Sequence, residues 1–449
     1  MRTVTKLGLT AALIFAALQL VRPSIPVSQD SAEIQVPPSI ANILEKDCYS
    51  CHSNERRLAW FDELVPGYWL VRRDILRARE HLNFSTLGSK PGAQQRAVLF
   101  EAANMIRLGA MPLGDFTALH PNARVTPQEL ATLETYLAPW TALPSVTADC
   151  NKDAHEAAVK LDRVVPEFNG LAFEPEFERW KPISFTDRGD NNTFRLILGN
   201  DVAVSAAKAG HVDPWPDGAR FAKVAWQQEI GSDGLMHSGA FVQVEFMIKD
   251  ARLYKETAGW GWGRWRGLDL KPYGNDRRFT RECVGCHQPL HEADYVYTLP
   301  LTKADVSGRE LANRAAANLP QSLPWQPLAW NPITMYVNPS SHTMAVLFGN
   351  GQAMRSLRTR EVRSAEPPAY APGSVLALVT WTQRDDPHWY GARIPNSPQS
   401  VEFVNIPASG ARSQYRCFQG MGLPEHNLPS ALAQQRVRSM LNLAPASLP

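Results

Sequence analysis

Net charge is what this chain of 449 residues has least of: 46 Lys and Arg stand against 44 Asp and Glu, a formal +2, which argues against a nucleic-acid-binding surface. Long apolar runs are as scarce. The single candidate, Leu7 to Val21, would cover about 22 Å as a helix, short of a hydrocarbon core ~30 Å thick. Arg2 and Lys6 precede that run and Arg22-Pro23 end it, so residues 1–31 read as an export segment. Pro23, Pro26 and bulky neighbours leave no clear small-x-small cleavage site, and a cleaved signal and a retained short anchor both stay open. The expected location is the periplasm, with the protein either soluble or held by this N-terminal anchor. Cysteine is scarce too, at six residues.

Four of those six stand in two copies of Cys-x-x-Cys-His: Cys48, Cys51 and His52, then Cys283, Cys286 and His287. Two thiols separated by two residues can each form a thioether to one haem edge, and the adjacent imidazole falls beneath the iron. The expectation is two covalently bound c-type haems with His52 and His287 as axial ligands. A zinc site would need a second thiolate pair near each motif, and a redox dithiol would leave the His a coincidence. Export favours haem, since attachment of this kind occurs outside the cytoplasm. The other two cysteines, Cys150 and Cys417, would be free thiols in an oxidising compartment unless paired with each other.

Two proline-containing stretches, 139–144 and 320–332, divide the chain into three segments. Residues 33–145 read as helical. Ile40 to Lys46 leads into the first motif, Trp69 to Leu82 has helical spacing, and Pro127 to Leu137 opens with Thr126 as N-cap and Glu129 at the capping-box position. In Gly109-Ala110-Met111-Pro112, a thioether before Pro in a rigid loop is how small electron-transfer cytochromes present a sixth ligand, so Met111 is the expected second ligand of the first iron. Met105 and His120 are its rivals. Through residues 47–55 and 79–85 this segment resembles the small haem-binding cytochrome c domains of bacterial periplasmic proteins. That resemblance implies an all-helical, single-haem electron-transfer module in which Asn83 and Phe84 fix the loop returning toward the haem.

Residues 151–300 follow a period of two. Phe194 to Leu198, Ala219 to Gln228 and Phe241 to Ile248 alternate apolar positions between Gly-, Asn- and Pro-rich turns, as strands of an antiparallel sheet do. The period puts Phe221 with Lys223 on one face, Phe241 with Glu245 on one face of another strand, and Thr193 with Arg195 on a third. Residues 193–201, 215–223, 242–250 and the motif at 283–287 resemble the cytochrome P-460 family, whose relatives include hydroxylamine-oxidising cytochromes and β-sheet cytochromes c-prime that bind nitric oxide. The resemblance implies His287 as proximal ligand, Lys223 cross-linked to the haem rim, Glu245 moving protons and Arg195 in the pocket. A neutral lysine amine is a nucleophile, and oxidising a nitrogen hydride releases protons that a carboxylate can accept. Solvent-facing strand charges are the plain alternative for all three.

Residues 325–440 read as a degenerate copy of the second segment. Trp180-Lys181-Pro182-Ile183 recurs as Trp330-Asn331-Pro332-Ile333, Gly218 and Trp226 match Gly373 and Trp381, and Val244-Glu245-Phe246 matches Val401-Glu402-Phe403. Residues Cys417 to Met421 read as a remnant of the haem motif that can no longer attach haem. In this copy Leu378 replaces Lys223 and Ala345 replaces Arg195, which favours haem contact for both basic residues. Glu245 faces Glu402 in a copy without haem, so it stands between proton acceptor and structural group. A haemless sheet serves most simply as a packing partner, covering an edge of the haem domain or mediating a homodimer.

Residues 259–265, Gly-Trp-Gly-Trp-Gly-Arg-Trp, read as a loop packing indole rings in preference to an aromatic wall beside a haem. His211, His237 and His291 have no ligand spacing. The expected fold is multidomain α + β: an all-α cytochrome c-like domain, then two related antiparallel sheet domains. The expected function is oxidation of hydroxylamine or a similar small nitrogen species at the second haem, with electrons passing through the first to a periplasmic or membrane electron-transfer protein. A non-catalytic nitric oxide binding or electron-transfer cytochrome is the alternative, with Phe221 or Phe241 crowding the iron. A redox-linked scaffold is a third reading.

Overall fold

The computed structural model describes residues 2–28, 31–141, 163–276, 278–306, 310–358, 370–409 and 411–448. Contacts divide the chain into two units, 1–139 and 140–449.

The first unit is helical: α1 (Arg2–Leu18), α2 (Pro38–Asp47), α3 (Tyr49–His52), α4 (Gly67–His81), α5 (Phe84–Leu87), α6 (Gly92–Arg107), α7 (Gly114–Leu119) and α8 (Pro127–Leu137). The Thr126 hydroxyl accepts from the Glu129 amide and Glu129 returns to the Thr126 amide, a reciprocal cap worth ~1 kcal/mol that starts α8 where its sequence signature lies. Apolar side chains at helical spacing, Ile40, Leu44, Ile75, Leu99, Phe100, Leu133 and Leu137 among them, form the core. The segment after α1 is tied onto this unit. Gln19 and Val65 exchange hydrogen bonds of 2.9 and 3.0 Å, Tyr68 donates to the Pro23 carbonyl at 2.6 Å, and Arg79 donates to the Pro26 carbonyl at 2.9 Å. On α1 itself Leu7, Leu9, Leu13, Ile14 and Phe15 are exposed, and no described helix is long and apolar enough to cross a membrane.

The second unit is built on strands. β1 (Lys181–Arg188), β2 (Thr193–Gly199), α9 (Asp201–Ala209), β3 (Arg220–Ile230), β4 (Met236–Lys249), β5 (Trp260–Arg266), β6 (Lys271–Pro272) and α10 (Arg278–His287) form one run. The same succession follows as β7 (Asn331–Asn338), β8 (Thr343–Gly349), α11 (Gly351–Arg358), β9 (Val375–Asp386), β10 (Trp389–Asn405), β11 (Gln414–Gln419), β12 (Glu425–His426) and α12 (Ser430–Asn442). The repeat read from the sequence is therefore a repeat of structure, down to a register shift after Pro182 in one copy and after Pro332 in the other.

The two related sheets are joined edge to edge. β4 pairs with β7 through Met236 and Val337, and β10 pairs with β1 through Arg393 and Asp187, so eight strands close into a ring. Closure leaves no free edge on those strands. Alternate residues point inward from both copies at matched positions: Phe194 with Met344, Leu198 with Phe348, Val224 with Val379, Trp226 with Trp381, Phe246 with Phe403. Each such side chain, taken fully out of water, contributes about 1.5–3 kcal/mol. The other alternate set faces outward, and there the two copies part company.

Candidate functional site

In the first unit the motif at Cys48 to His52 folds as the break between α2 and α3, with Cys51 and His52 on the single turn of α3. His52 Nδ1 lies 3.0 Å from the Leu82 carbonyl oxygen, which can only accept, so the proton is on Nδ1 and Nε2 is left to face a metal. Burial pushes this imidazole below its ordinary pKa, so it is held neutral as a ligand must be. The next two residues of the chain fix Leu82 in place. Asn83 accepts from the Ser85 amide and donates to the Asn54 side chain at 2.9 Å, and Phe84, buried, sets its ring edge-on to His52 at 6.4 Å.

Met111 lies in the turn between α6 and α7, its amide held by the Met105 carbonyl at 3.1 Å and its side chain 37% exposed. His120 has both ring nitrogens engaged, Nε2 with Asp62 at 2.9 Å and Nδ1 with the Phe116 carbonyl at 3.0 Å. That leaves Met111 better placed than His120 to meet an incoming group.

In the second unit, ladder register assembles a row across four strands on the outer face: Ile197 opposite Lys223, Lys223 opposite Glu245, Glu245 opposite Arg264. Lys223 Nζ meets Glu245 Oε2 at 2.6 Å, and Arg264 lies 3.5 Å from the other oxygen, which Gln243 also reaches. Arg195 stands one row down, opposite Ala225, and the next row up carries Phe221, Met247 and Trp262. Burial pushes the Lys223 ammonium down to about 8 despite the pull of Glu245, so the free amine is accessible near neutrality. For Glu245 burial works the other way, but Lys223, Arg264 and Arg195 outweigh it and hold the carboxyl well below the usual range.

The last turn of α10 brings His287 to this face, its ring 4.5 Å from that of Trp262. Its Nδ1 hydrogen goes to the Tyr295 carbonyl at 2.7 Å, leaving Nε2 as the metal-facing nitrogen, and burial lowers the imidazole to about 4. That carbonyl sits in a costly turn. Asp294 and Tyr295 both take left-handed backbone conformations, φ 46° and 67°. The turn is held by a buried pair between Asp294 and Lys249 at 2.6 Å, by the Trp215 amide on the other Asp294 oxygen, and by Trp260 Nε1 on the Asp294 carbonyl.

Haem fits both places. Each offers two thiols and a neutral imidazole with its far nitrogen oriented by a carbonyl. On the sheet face, Nε of Arg195 and Nε1 of Trp262 are buried donors without a partner among the described residues. An orphaned buried donor costs about 1–3 kcal/mol, so this face is complementary to a group bearing acceptor atoms, as the haem carboxylates are. Among the described residues no three His, Cys, Asp or Glu side chains gather as a metal site, so neither cysteine pair meets the second pair that structural zinc requires.

Three sequence expectations change. Phe241 does not share a face with Glu245: the ladder shifts between Ala225 and Trp226, so Phe241 pairs with Trp226 and enters the interior core, which removes it from the haem face. Phe221 stays on that face, buried against Trp215 and Trp260. Residues 260–266 are a strand, not a loop. Trp260, Trp262 and Arg264 point outward while Trp265 fills the core, and a Cβ on Gly263 would come within 2.6 Å of the Trp265 ring as one on Gly261 would collide with the Tyr254 ring, which explains these two glycines. Cys417 is no remnant of the haem motif: it lies on β11 opposite Glu402, the place Arg264 holds opposite Glu245, and α12 is what succeeds the strands where α10 does. The proposed partner Cys150 lies outside the described residues. Arg264, Trp262 and the Lys249–Asp294 pair were missed by sequence reasoning, because only strand pairing brings them to the site.

Residues 10–139 match the family of haem-binding domains, and residues 175–298 match cytochrome P460. No curated protein matches the chain. The helical unit and the first sheet repeat thus carry the two matches in the order in which their haem motifs occur, and the chain is a haem cytochrome in which a haem-binding domain precedes a cytochrome P460 domain.

Proposed function

We propose that the protein is an exported dihaem c-type cytochrome that oxidises hydroxylamine, or a similar small nitrogen species, at its second haem and passes electrons through its first. The observation that carries this is the Lys223–Glu245–Arg264 row beside His287, together with the replacement of both its cations, by Leu378 and Cys417, in the repeat that has no haem motif. Haem, when bound, would supply the electron-accepting iron at both sites. Cys48, Cys51 and His52 would hold one and Cys283, Cys286 and His287 the other, with Met111 as the added ligand of the first.

Removing electrons from hydroxylamine releases protons in equal number, and an anionic carboxylate on the face that would hold the haem could take them. Arg264 and Arg195 keep Glu245 anionic, as Lys223 also does until its amine is spent, so the carboxylate accepts a proton only as substrate charge develops near it. Arg195 and Arg264 stabilise negative charge on that face. The lowered pKa of Lys223 gives a nucleophilic amine that would bond a haem rim carbon in place of its hydrogen, with one N–H and one C–H broken, two protons released and two electrons leaving through the first haem to the acceptor. The acceptor is a periplasmic or membrane electron-transfer protein. Residues 19–28 remain bound to the first unit, which favours a retained anchor over a signal removed beyond them.

A second reading, nitric oxide binding without turnover, draws on buried Phe221 on the same face. The optical spectrum of the pure reduced protein tests the choice. A red-shifted band from the second haem and hydroxylamine-dependent reduction of the first are expected; absence of both would leave nitric oxide binding in its place.

A further inference from the structure

The copy without a haem motif reaches into the haem site. Its β9–β10 hairpin brings Trp389 against the ring of Tyr297, centroids 5.4 Å apart and edge to face, and Tyr297 in turn lies 5.0 Å from His287, also edge to face. Tyr297 is fixed at both ends by groups from different repeats. Its hydroxyl donates to the Cys286 carbonyl at 2.6 Å, inside the motif, while its own carbonyl accepts from Nδ1 of His388 at 2.8 Å. Trp389 is fixed as firmly. The Arg188 guanidinium lies 4.2 Å over its ring, Arg188 is paired through two 2.5 Å contacts with Asp190, and Trp389 Nε1 donates to the same carboxylate at 3.3 Å. The hairpin is held there by the strand pairing that closes the ring, Arg188 opposite Ala392.

The matched hairpin of the first copy offers a contrast. It brings His237 to 5.7 Å from Tyr336, and among the described residues no haem motif lies beyond that tyrosine. A ring wedged behind an axial imidazole limits its rotation and tilt, and outer-shell contacts of this kind tune a haem iron through its ligand.

We infer that Trp389 and His388 are positioning residues for His287, acting through Tyr297, so that the haemless repeat sets the iron of its neighbour. This rests on the reading of His287 as proximal ligand. A full-length protein carrying Trp389→Ala is the test, read by the iron–histidine stretching band of the reduced second haem and by its reduction potential, with the first haem as internal control and haem count by mass. Trp389→Ala should move both readouts for the second haem alone, Trp389→Phe should restore them, and Tyr297→Phe, which keeps the ring but drops the bond to Cys286, should shift them less. Two attached haems with band and potential unchanged in Trp389→Ala and in Tyr297→Phe would overturn the inference while leaving the haem assignment intact. Wild-type protein lacking the second haem would overturn the assignment and this inference together.

Discussion

The two sheet repeats are one backbone put to two uses, and the difference is concentrated on a single outward face. Inside the ring the copies differ little in kind: Trp226 answers Trp381 and Phe246 answers Phe403. Outside, the row Ile197, Lys223, Glu245, Arg264 becomes Leu347, Leu378, Glu402, Cys417. Leu347 and Leu378 join Ala345, Val404 and Met440 of α12 in a dry cluster, so the helix that succeeds the strands lies directly on the sheet. The shared glutamate survives because it has found another partner: Arg436 of α12 grips Glu402 at 2.6 and 2.7 Å, and Tyr415 donates to it at 2.5 Å. A carboxylate in the strand interior is therefore not diagnostic of chemistry. The cations on the neighbouring strands are what separate the copies, because an apolar filling has no use for Lys223 or Arg195.

The largest effect should come from making the first repeat haemless. Cys283→Ser with Cys286→Ser should reduce the mass-measured load from two covalent haems to one, abolish reaction with hydroxylamine and leave the spectrum of the first haem in place. Retention of both haems would refute the attachment assigned to these thiols.

Lys223→Leu copies a single residue of the second repeat into the first. It should keep haem attachment yet give an ordinary c-type spectrum and lose turnover. Glu245→Gln should keep any red-shifted band but slow steady-state oxidation by about 10²–10⁴-fold, the range for a lost proton acceptor. Equal activity in Glu245→Gln and wild type would return this residue to the structural role of Glu402.

Glu402→Gln should do the opposite, lowering stability by about 1–3 kcal/mol through the weakened charge-assisted bonds from Arg436 and Tyr415 while both haem spectra stay fixed. Thermal unfolding followed by circular dichroism, with spectra alongside, separates the two glutamates. The smallest effect concerns pH during maturation. With Lys223 near 8, its neutral fraction climbs about tenfold per unit below that value and levels off above it, whereas a lysine at its ordinary value of 10.5 goes on climbing until there. Formation of the cross-link should follow that curve; a rate still rising steeply at pH ~10 would contradict the burial of Lys223.

What the sequence disclosed was mostly local or repeated. Each haem motif is contiguous, the capping box of α8 spans four residues, and comparing the copies picked out Lys223 and Arg195 by their replacements. What it hid depends on pairing. A ladder shift turns Phe241 inward, and nothing at residue 241 announces it. Arg264 joins the site because β5 pairs with β4, and the carbonyl that orients His287 has no side-chain signature. One signal was there to be used: Trp at alternate positions 260 and 262 between glycines has the period of a strand. Matching Cys417 to a haem motif failed because it compared residue types where only ladder position identifies an equivalent.

Closure of the ring also orders the events of folding. Asp187 finds its partner Arg393 some 200 residues later, a contact of very long range that forms slowly and requires nearly the whole chain. Until that pairing is made, the first repeat is an open half-ring and Trp389 has no fixed place against Tyr297. The second repeat is thus a latch in the order of the chain: the strand that closes the ring is made only after the whole of the first repeat.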